Sequence, residues 1–182
     1  MKLPTREECF KLLEKYNTLP NIIEHSKKVN KVAVHLAKKL KEKGIDINID
    51  LVDRASLLHD IAKSKIIREK IPPEKENHHI DGEKILIKEG YPKIARIVRM
   101  HSLKEIKNLK SWEEKIVQYA DMRVRHTNIV SIRERIDDLI KRYNIPPEKR
   151  IDEKLVFALE KEIYDVIGDS PEKLKEDIEN EN

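Results

Sequence analysis

Cysteine is almost missing: Cys9 is the only one in 182 residues. A single thiol excludes an intrachain disulfide and a cysteine-built structural zinc site, and it fits a reducing cytosol. Cys9 shares a helical stripe with Leu12, Leu13 and Tyr16, where a small buried hydrophobe is expected. Glycine is rare at 4 residues, proline reaches only 8, and aromatic side chains make up 4%. No apolar run approaches the roughly 20 residues that span a bilayer, and the first residues do not form a signal-peptide pattern. A cytoplasmic location with no membrane partner is the expectation. No run of five basic residues occurs, so no dedicated nucleic-acid-binding segment is expected. The charge of +4, from 38 basic and 34 acidic residues, is a diffuse bias that favours anionic ligands such as phosphates.

With 38% hydrophobic and 40% charged residues, the composition is that of a globular, mostly helical chain. Thr5 and Glu8 form a capping box that opens a helix ending near Tyr16. Pro20 introduces an amphipathic helix from Asn21 to Lys43, stopped by Gly44. Asp50 is the expected cap of a third helix, which carries His59 and Asp60 and continues to Lys63. Charged residues 65–77 suggest a loop with at most a short helix. Further helices are predicted from His78 to Glu89 and from Pro92 to His101. A long one should run from the Ser111–Glu114 capping box to Tyr143, with a break near Thr127 and Asn128. A last helix should span 148–167 and end at Gly168, and the polar tail 170–182 should fray. No strand-period alternation stands out. The organisation expected is all-α: an N-terminal helix over 1–19, a main domain over 20–143, a packed helix over 144–169, and the tail.

Several polar residues interrupt the apolar faces of these helices. His25 lies on the stripe of Val29, Val32, Leu36 and Leu40. His59 and Asp60 follow Leu57 and Leu58, His101 shares a face with Ile94, Ile97 and Val98, and Asp121 sits between Val117 and Val124. His78 opens a fifth segment, while His35 points about 100° away from its stripe and should be partly exposed. One inward histidine is usually a satisfied core residue. Three inward histidines and two inward aspartates on separate helices are better explained by a shared cation, which neutralises the carboxylates and employs the ring nitrogens. Nitrogen and carboxylate donors suit iron, manganese, cobalt, nickel or zinc, and spacing does not choose among them.

His25, the His59-Asp60 pair in Leu-Leu-His-Asp-Ile-Ala-Lys, and Asp121 after Tyr119-Ala120 resemble the signature of the HD-domain metal-dependent phosphohydrolases. The resemblance covers about residues 20–140. His78, with Gly82 four residues on, and His101, after Ile97 and Val98, resemble the extra histidines of subfamilies that bind two ions. The resemblance implies an HD-domain helical bundle with short helical extensions at both ends. It implies one divalent transition metal ion on His25, His59, Asp60 and Asp121, and a second on His78 and His101 with Asp60 bridging. His79 is the alternative to His78. Gly82, costly within a helix, implies close approach of another element there.

An HD site of this kind implies hydrolysis of a phosphate ester or anhydride of a small nucleotide-like substrate by a metal-activated hydroxide. Asp60 is the expected bridging and orienting group, and Lys63 the catalytic and substrate-binding cation. Arg123 and Arg125 are further substrate-binding candidates, with Arg133 and Arg135 beyond them. Tyr91, Trp112 and Tyr119 are candidates for stacking on a base, and His126 has no motif position. Alternatives remain: a phosphodiesterase acting on cyclic nucleotides or RNA, a di-iron oxygenase on the same scaffold, and a binding module without catalysis. Ala62 and Ser102 depart from residues common in relatives, and the second leaves the substrate class open. Oligomeric state has no signature in the sequence.

Overall fold

The computed structural model describes residues 2–72, 75–147 and 152–181. Ten α-helices follow in order: α1 Arg6–Lys15, α2 Pro20–Glu42, α3 Ile49–Leu58, α4 Lys63–Arg68, α5 His78–Lys88, α6 Pro92–Met100, α7 Trp112–Met122, α8 Ile132–Tyr143, α9 Glu153–Ile167 and α10 Leu174–Asn180. The start expected for α9, at 148, lies outside the described residues. No helix among those described is long and apolar enough to cross a membrane.

The organising element is α2. Its buried residues Val29, Val32, Ala33, Leu36, Ala37 and Leu40 repeat at three- and four-residue steps, a wide apolar stripe. That stripe packs on α3 and α7, and the helix also touches α9 and α10. α5 and α6 pair with each other, and α6 covers α3 from the other side. Local chemistry explains the boundaries. Thr5 and Ser111 complete the two expected capping boxes, while Gly90 and Gly168 take left-handed φ values of 87° and 73° directly after helices.

Four boundaries differ from expectation. Asn48, not Asp50, caps α3, its side chain accepting the Leu51 amide at 2.9 Å. α3 ends at Leu58, so His59–Ala62 form a turn and Lys63 starts a separate helix. α7 stops at Met122, earlier than the break expected near Thr127. An antiparallel ribbon, β1 Val124–Arg125 with β2 Asn128–Ile129, intervenes, and Ser131 with Glu134 forms a third capping box that opens α8. Two-residue strands are too short to leave a period in the sequence.

Within the tail, Leu174–Asn180 forms α10, and Leu174 and Ile178, each 1% exposed, dock that helix against α2. His35 is accordingly buried, its Nδ1 2.7 Å from a Glu181 carboxylate oxygen. Its angular offset from the main stripe points it at a helix that the sequence pattern did not place there. Cys9 is fully buried, and that burial pushes its thiol up to about 11, which suits a packing role.

Candidate metal centre

Six side chains from separate parts of the chain converge between α2, α3, α5, α6 and α7. His25 comes from α2 and Asp121 from the last turn of α7. His59 and Asp60 come from the turn after α3, His78 opens α5, and His101 follows α6. Their donor atoms form two groups, His25–His59–Asp121 and Asp60–His78–His101, with the atoms of each group within 4.8 Å of one another.

Asp60 stands between the groups. Its Oδ2 faces His59 Nε2 at 3.4 Å and His25 Nε2 at 3.9 Å, while its Oδ1 faces His78 Nε2 at 3.0 Å and His101 Nε2 at 3.7 Å. Asp121 Oδ1 lies 2.9 Å from His25 Nε2 and 3.6 Å from His59 Nε2.

The orientation of the rings is the more telling observation. Each histidine turns its Nδ1 away from the centre onto an oxygen acceptor. His25 meets the His126 carbonyl (2.8 Å), His59 the Ser56 carbonyl (2.8 Å), His101 the Val98 carbonyl (2.6 Å), and His78 the Glu76 carboxylate. An Nδ1–H donated outward leaves Nε2 as the ring atom that faces the centre, the arrangement of metal-ligating histidines. His78 Nε2 and His101 Nε2 then oppose each other at 2.9 Å. His59 Nε2 and Asp60 Oδ1, both buried, have no hydrogen-bond partner. Lone pairs and carboxylate oxygens packed this closely repel unless a positive charge sits among them. The donor set fits divalent transition metal ions.

The electrostatics agree. Burial alone would raise the Asp60 carboxyl, but Lys63, His59 and His101 outweigh it and hold it well below the usual range. Asp121 is likewise held low against burial by His25 and His59. Burial disfavours a charged His59, yet Asp60 and Asp121 push it up to about 10, whereas burial pushes His78 down to about 3. Lys63 reaches back from α4 so that its Nζ donates to Asp60 Oδ2 at 2.8 Å.

Gly82 explains itself in this setting. A Cβ there would meet Val98 Cγ1 at 2.9 Å and Ile61 Cγ2 at 3.6 Å, so only glycine lets α5 sit against α6 and the His59–Ala62 turn. His79 is buried beside His78 with its Nδ1 unpartnered, and it belongs to neither group of converging donors.

The arginine candidates are placed elsewhere. Arg123 is 4% exposed, and its guanidinium donates to the Val130 carbonyl (2.7 Å), Tyr119 Oη (2.6 Å), Glu160 (3.2 Å) and the Pro171 carbonyl (2.9 Å). With its donors employed in joining α7, the ribbon and α9, it is a structural residue. Arg125 sits on β1, partly exposed, near enough to Glu134 to help hold that carboxyl low. Arg133 packs over Phe157, and Arg135 is buried beside Asp138. Of the proposed stacking rings, Tyr91 and Tyr119 are core residues and Trp112 lies under Lys115.

Four orienting acceptors were not singled out from the sequence. The Ser56 and Val98 carbonyls each lie three residues before their histidine and follow from helical geometry. Glu76 lies two residues before His78, a near-neighbour signal. The His126 carbonyl is 101 residues from His25 and left none.

A helical bundle gathering four histidines and two aspartates around a buried centre, without thiolate, defines a metal-binding all-α domain. The chain belongs to the HD domain family, whose model matches residues 22–125, and that superfamily is one of metal-dependent hydrolases. It is 31% identical over 152 residues to an uncharacterized protein of Methanocaldococcus jannaschii, a match covering 72% of this chain and 83% of the relative. It is also 32% identical over 100 residues to a tRNA (cytidine(56)-2'-O)-methyltransferase of Thermoplasma volcanium, covering 54% of this chain but only 26% of that protein. No solved structure matches.

Proposed function

We propose that the protein is a metal-dependent phosphohydrolase that cleaves a phosphate ester or anhydride of a small nucleotide-like substrate. The observation that carries this reading is the convergence of four inward Nε2 atoms and two carboxylates on one buried centre, with Lys63 at its edge. His25, His59 and Asp121 would hold one divalent ion and His78 and His101 a second, with Asp60 contributing between them. When bound, such ions polarise a phosphoryl oxygen and lower the pKa of water into the neutral range.

The chain's own groups supply the rest. Nδ1 donors locked onto four acceptors keep the rings from turning, so the site is preorganised. Asp60, standing between the two donor groups, would help to orient the attacking water. Lys63 is an ammonium next to the reacting centre and would meet the equatorial phosphoryl oxygens as negative charge develops. The buried floor excludes bulk water and strengthens each of these interactions.

Elemental analysis of protein purified without chelators, together with hydrolysis of nucleoside phosphates after manganese loading, tests this reading. Near two ions per chain with turnover is expected, and His59→Ala or Asp60→Ala should abolish both while circular dichroism stays helical. Full activity in either variant would sink the metal-site mechanism. A phosphodiesterase acting on RNA is the second reading. It is supported by the similarity to part of a tRNA-modifying enzyme and would show as cleavage of RNA in place of nucleotides.

A further inference from the structure

A buried polar knot joins α2 to α3 close to His59. Asn30 on α2 is 5% exposed, and Asp53 and Ser56 on α3 are 5% and 0% exposed. Polar groups this deep cost stability unless they are hydrogen-bonded, and here they are bonded to one another. Asn30 Nδ2 donates to the Asp53 carbonyl at 2.9 Å, to Asp53 Oδ1 at 2.9 Å and to Ser56 Oγ at 3.0 Å. Its Oδ1 accepts from Arg6 of α1 at 3.3 Å, and the same guanidinium pairs with the Asp53 carboxylate. Both halves of the amide are engaged, which fixes its orientation.

Apolar packing alone could hold these two helices together, since Val29, Val32 and Ala33 are fully buried on α2. An apolar stripe tolerates small slides. A buried hydrogen-bonded network does not, because a slide leaves its members unpaired in a medium of low dielectric.

Register matters at this point because each helix leads to a ligand of the same donor group. His25 lies five residues before Asn30 on α2, and His59 three residues after Ser56. Ser56 takes part twice: its hydroxyl accepts from Asn30, and its carbonyl accepts from His59 Nδ1 at 2.8 Å. The His25 and His59 rings then stand 5.5 Å apart, centroid to centroid.

We propose that Asn30 is a positioning residue of the metal centre, pinning α2 to α3 in the register that brings His25 and His59 to one ion. This rests on the metal-centre reading for the ion itself, whereas the placement of the two rings is a property of the chain. Arg6 closes the knot from α1, so a residue ahead of the family-matched stretch 22–125 contributes to it.

The test is titration of the full-length chain with cobalt(II), followed by visible absorption, together with proton NMR of the histidine rings in the metal-free protein. Asn30→Leu keeps the bulk and removes the donors. It should weaken the ion of His25, His59 and Asp121 about 10- to 100-fold, the range for a lost outer partner of a metal ligand. It should also alter the cobalt spectrum and abolish the through-space contact between the His25 and His59 rings. Ser56→Ala removes a single oxygen and should act in the same direction to a smaller extent, and it decides the matter if Asn30→Leu does not fold. Ile163→Ala, at a buried position of α9 outside the knot, should lower Tm without moving affinity, spectrum or ring contact. Unchanged cobalt affinity and ring contact in Asn30→Leu and Ser56→Ala would overturn the proposal, as would an equal loss of both in Ile163→Ala. A wild type that takes up no cobalt, with the ring contact still lost in Asn30→Leu, would defeat the metal reading and leave the pin standing.

Discussion

Gly82→Ala places a methyl group where the packing has no room for one. The new Cβ would lie 2.9 Å from Val98 Cγ1, against the 3.5–4.0 Å at which carbon atoms rest. One of the two must retreat by roughly 0.6 Å or more, and Val98 is fully buried. Overpacking of this sort costs typically 1–3 kcal/mol, and replacing glycine by alanine within a helix returns about 1 kcal/mol. The net loss is then about 1 kcal/mol, a fall of roughly 2–4 °C in Tm for a domain of this size. The consequence for the centre should be larger. Val98 supplies the carbonyl that orients His101, and α5 begins with His78, whose Nε2 is 2.9 Å from that of His101. Pushing α5 from α6 should open this pair and weaken binding of the ion proposed for Asp60, His78 and His101, leaving the His25–His59–Asp121 group intact. Differential scanning calorimetry combined with metal stoichiometry reads both effects. A variant more stable than the parent that retains its full metal content would refute the packing argument.

Three other outcomes follow from named contacts. Because Asp60 and Asp121 push His59 up to about 10 against its burial, the metal-free imidazole should hold a second proton, on Nε2, that ion uptake expels. Titrations in two buffers of different ionisation enthalpy should show about one proton released per chain, and ion affinity should fall as pH falls; a buffer-independent enthalpy would contradict this. Truncation before Leu174 exposes the surface that Leu174 and Ile178 cover and removes Glu181 from His35 and Asp177 from Lys39. It should cost about 3–5 kcal/mol in chemical denaturation, from two buried aliphatic side chains, and an unchanged midpoint would mean that α10 is not docked. Arg123→Met takes the guanidinium away from the buried Tyr119 hydroxyl, the partly exposed Glu160 and two backbone carbonyls, with an expected loss of about 3–5 kcal/mol in stability. If Arg123→Met instead left stability untouched and raised KM for a nucleotide, Arg123 would be a substrate contact after all.

Much of this protein is written locally. The apolar steps from Val29 to Leu40 make α2 a helix with one buried face, and that same spacing turns His25 inward. The capping boxes at Thr5 and Ser111 and the glycines at 90 and 168 mark helix ends because they satisfy orphaned backbone groups within a few residues. Five of the six residues of the candidate centre stand out from the sequence because each is a polar interruption of an apolar face, His78 through its resemblance with Gly82 four residues on, and Gly82 because it is costly where it stands. Tertiary structure decided what depends on partners far along the chain. The buried surroundings of His35 depend on α10, about 140 residues away, and the role of Arg123 depends on Glu160 and Pro171. The His126 carbonyl reaches His25 only because the ribbon folds back across α2. Periodicity tells which face of a helix is apolar. It does not tell which element covers a given spot, since that is set by packing all the helices together, and there Arg123 became part of the core while Arg125 stayed partly exposed on the ribbon.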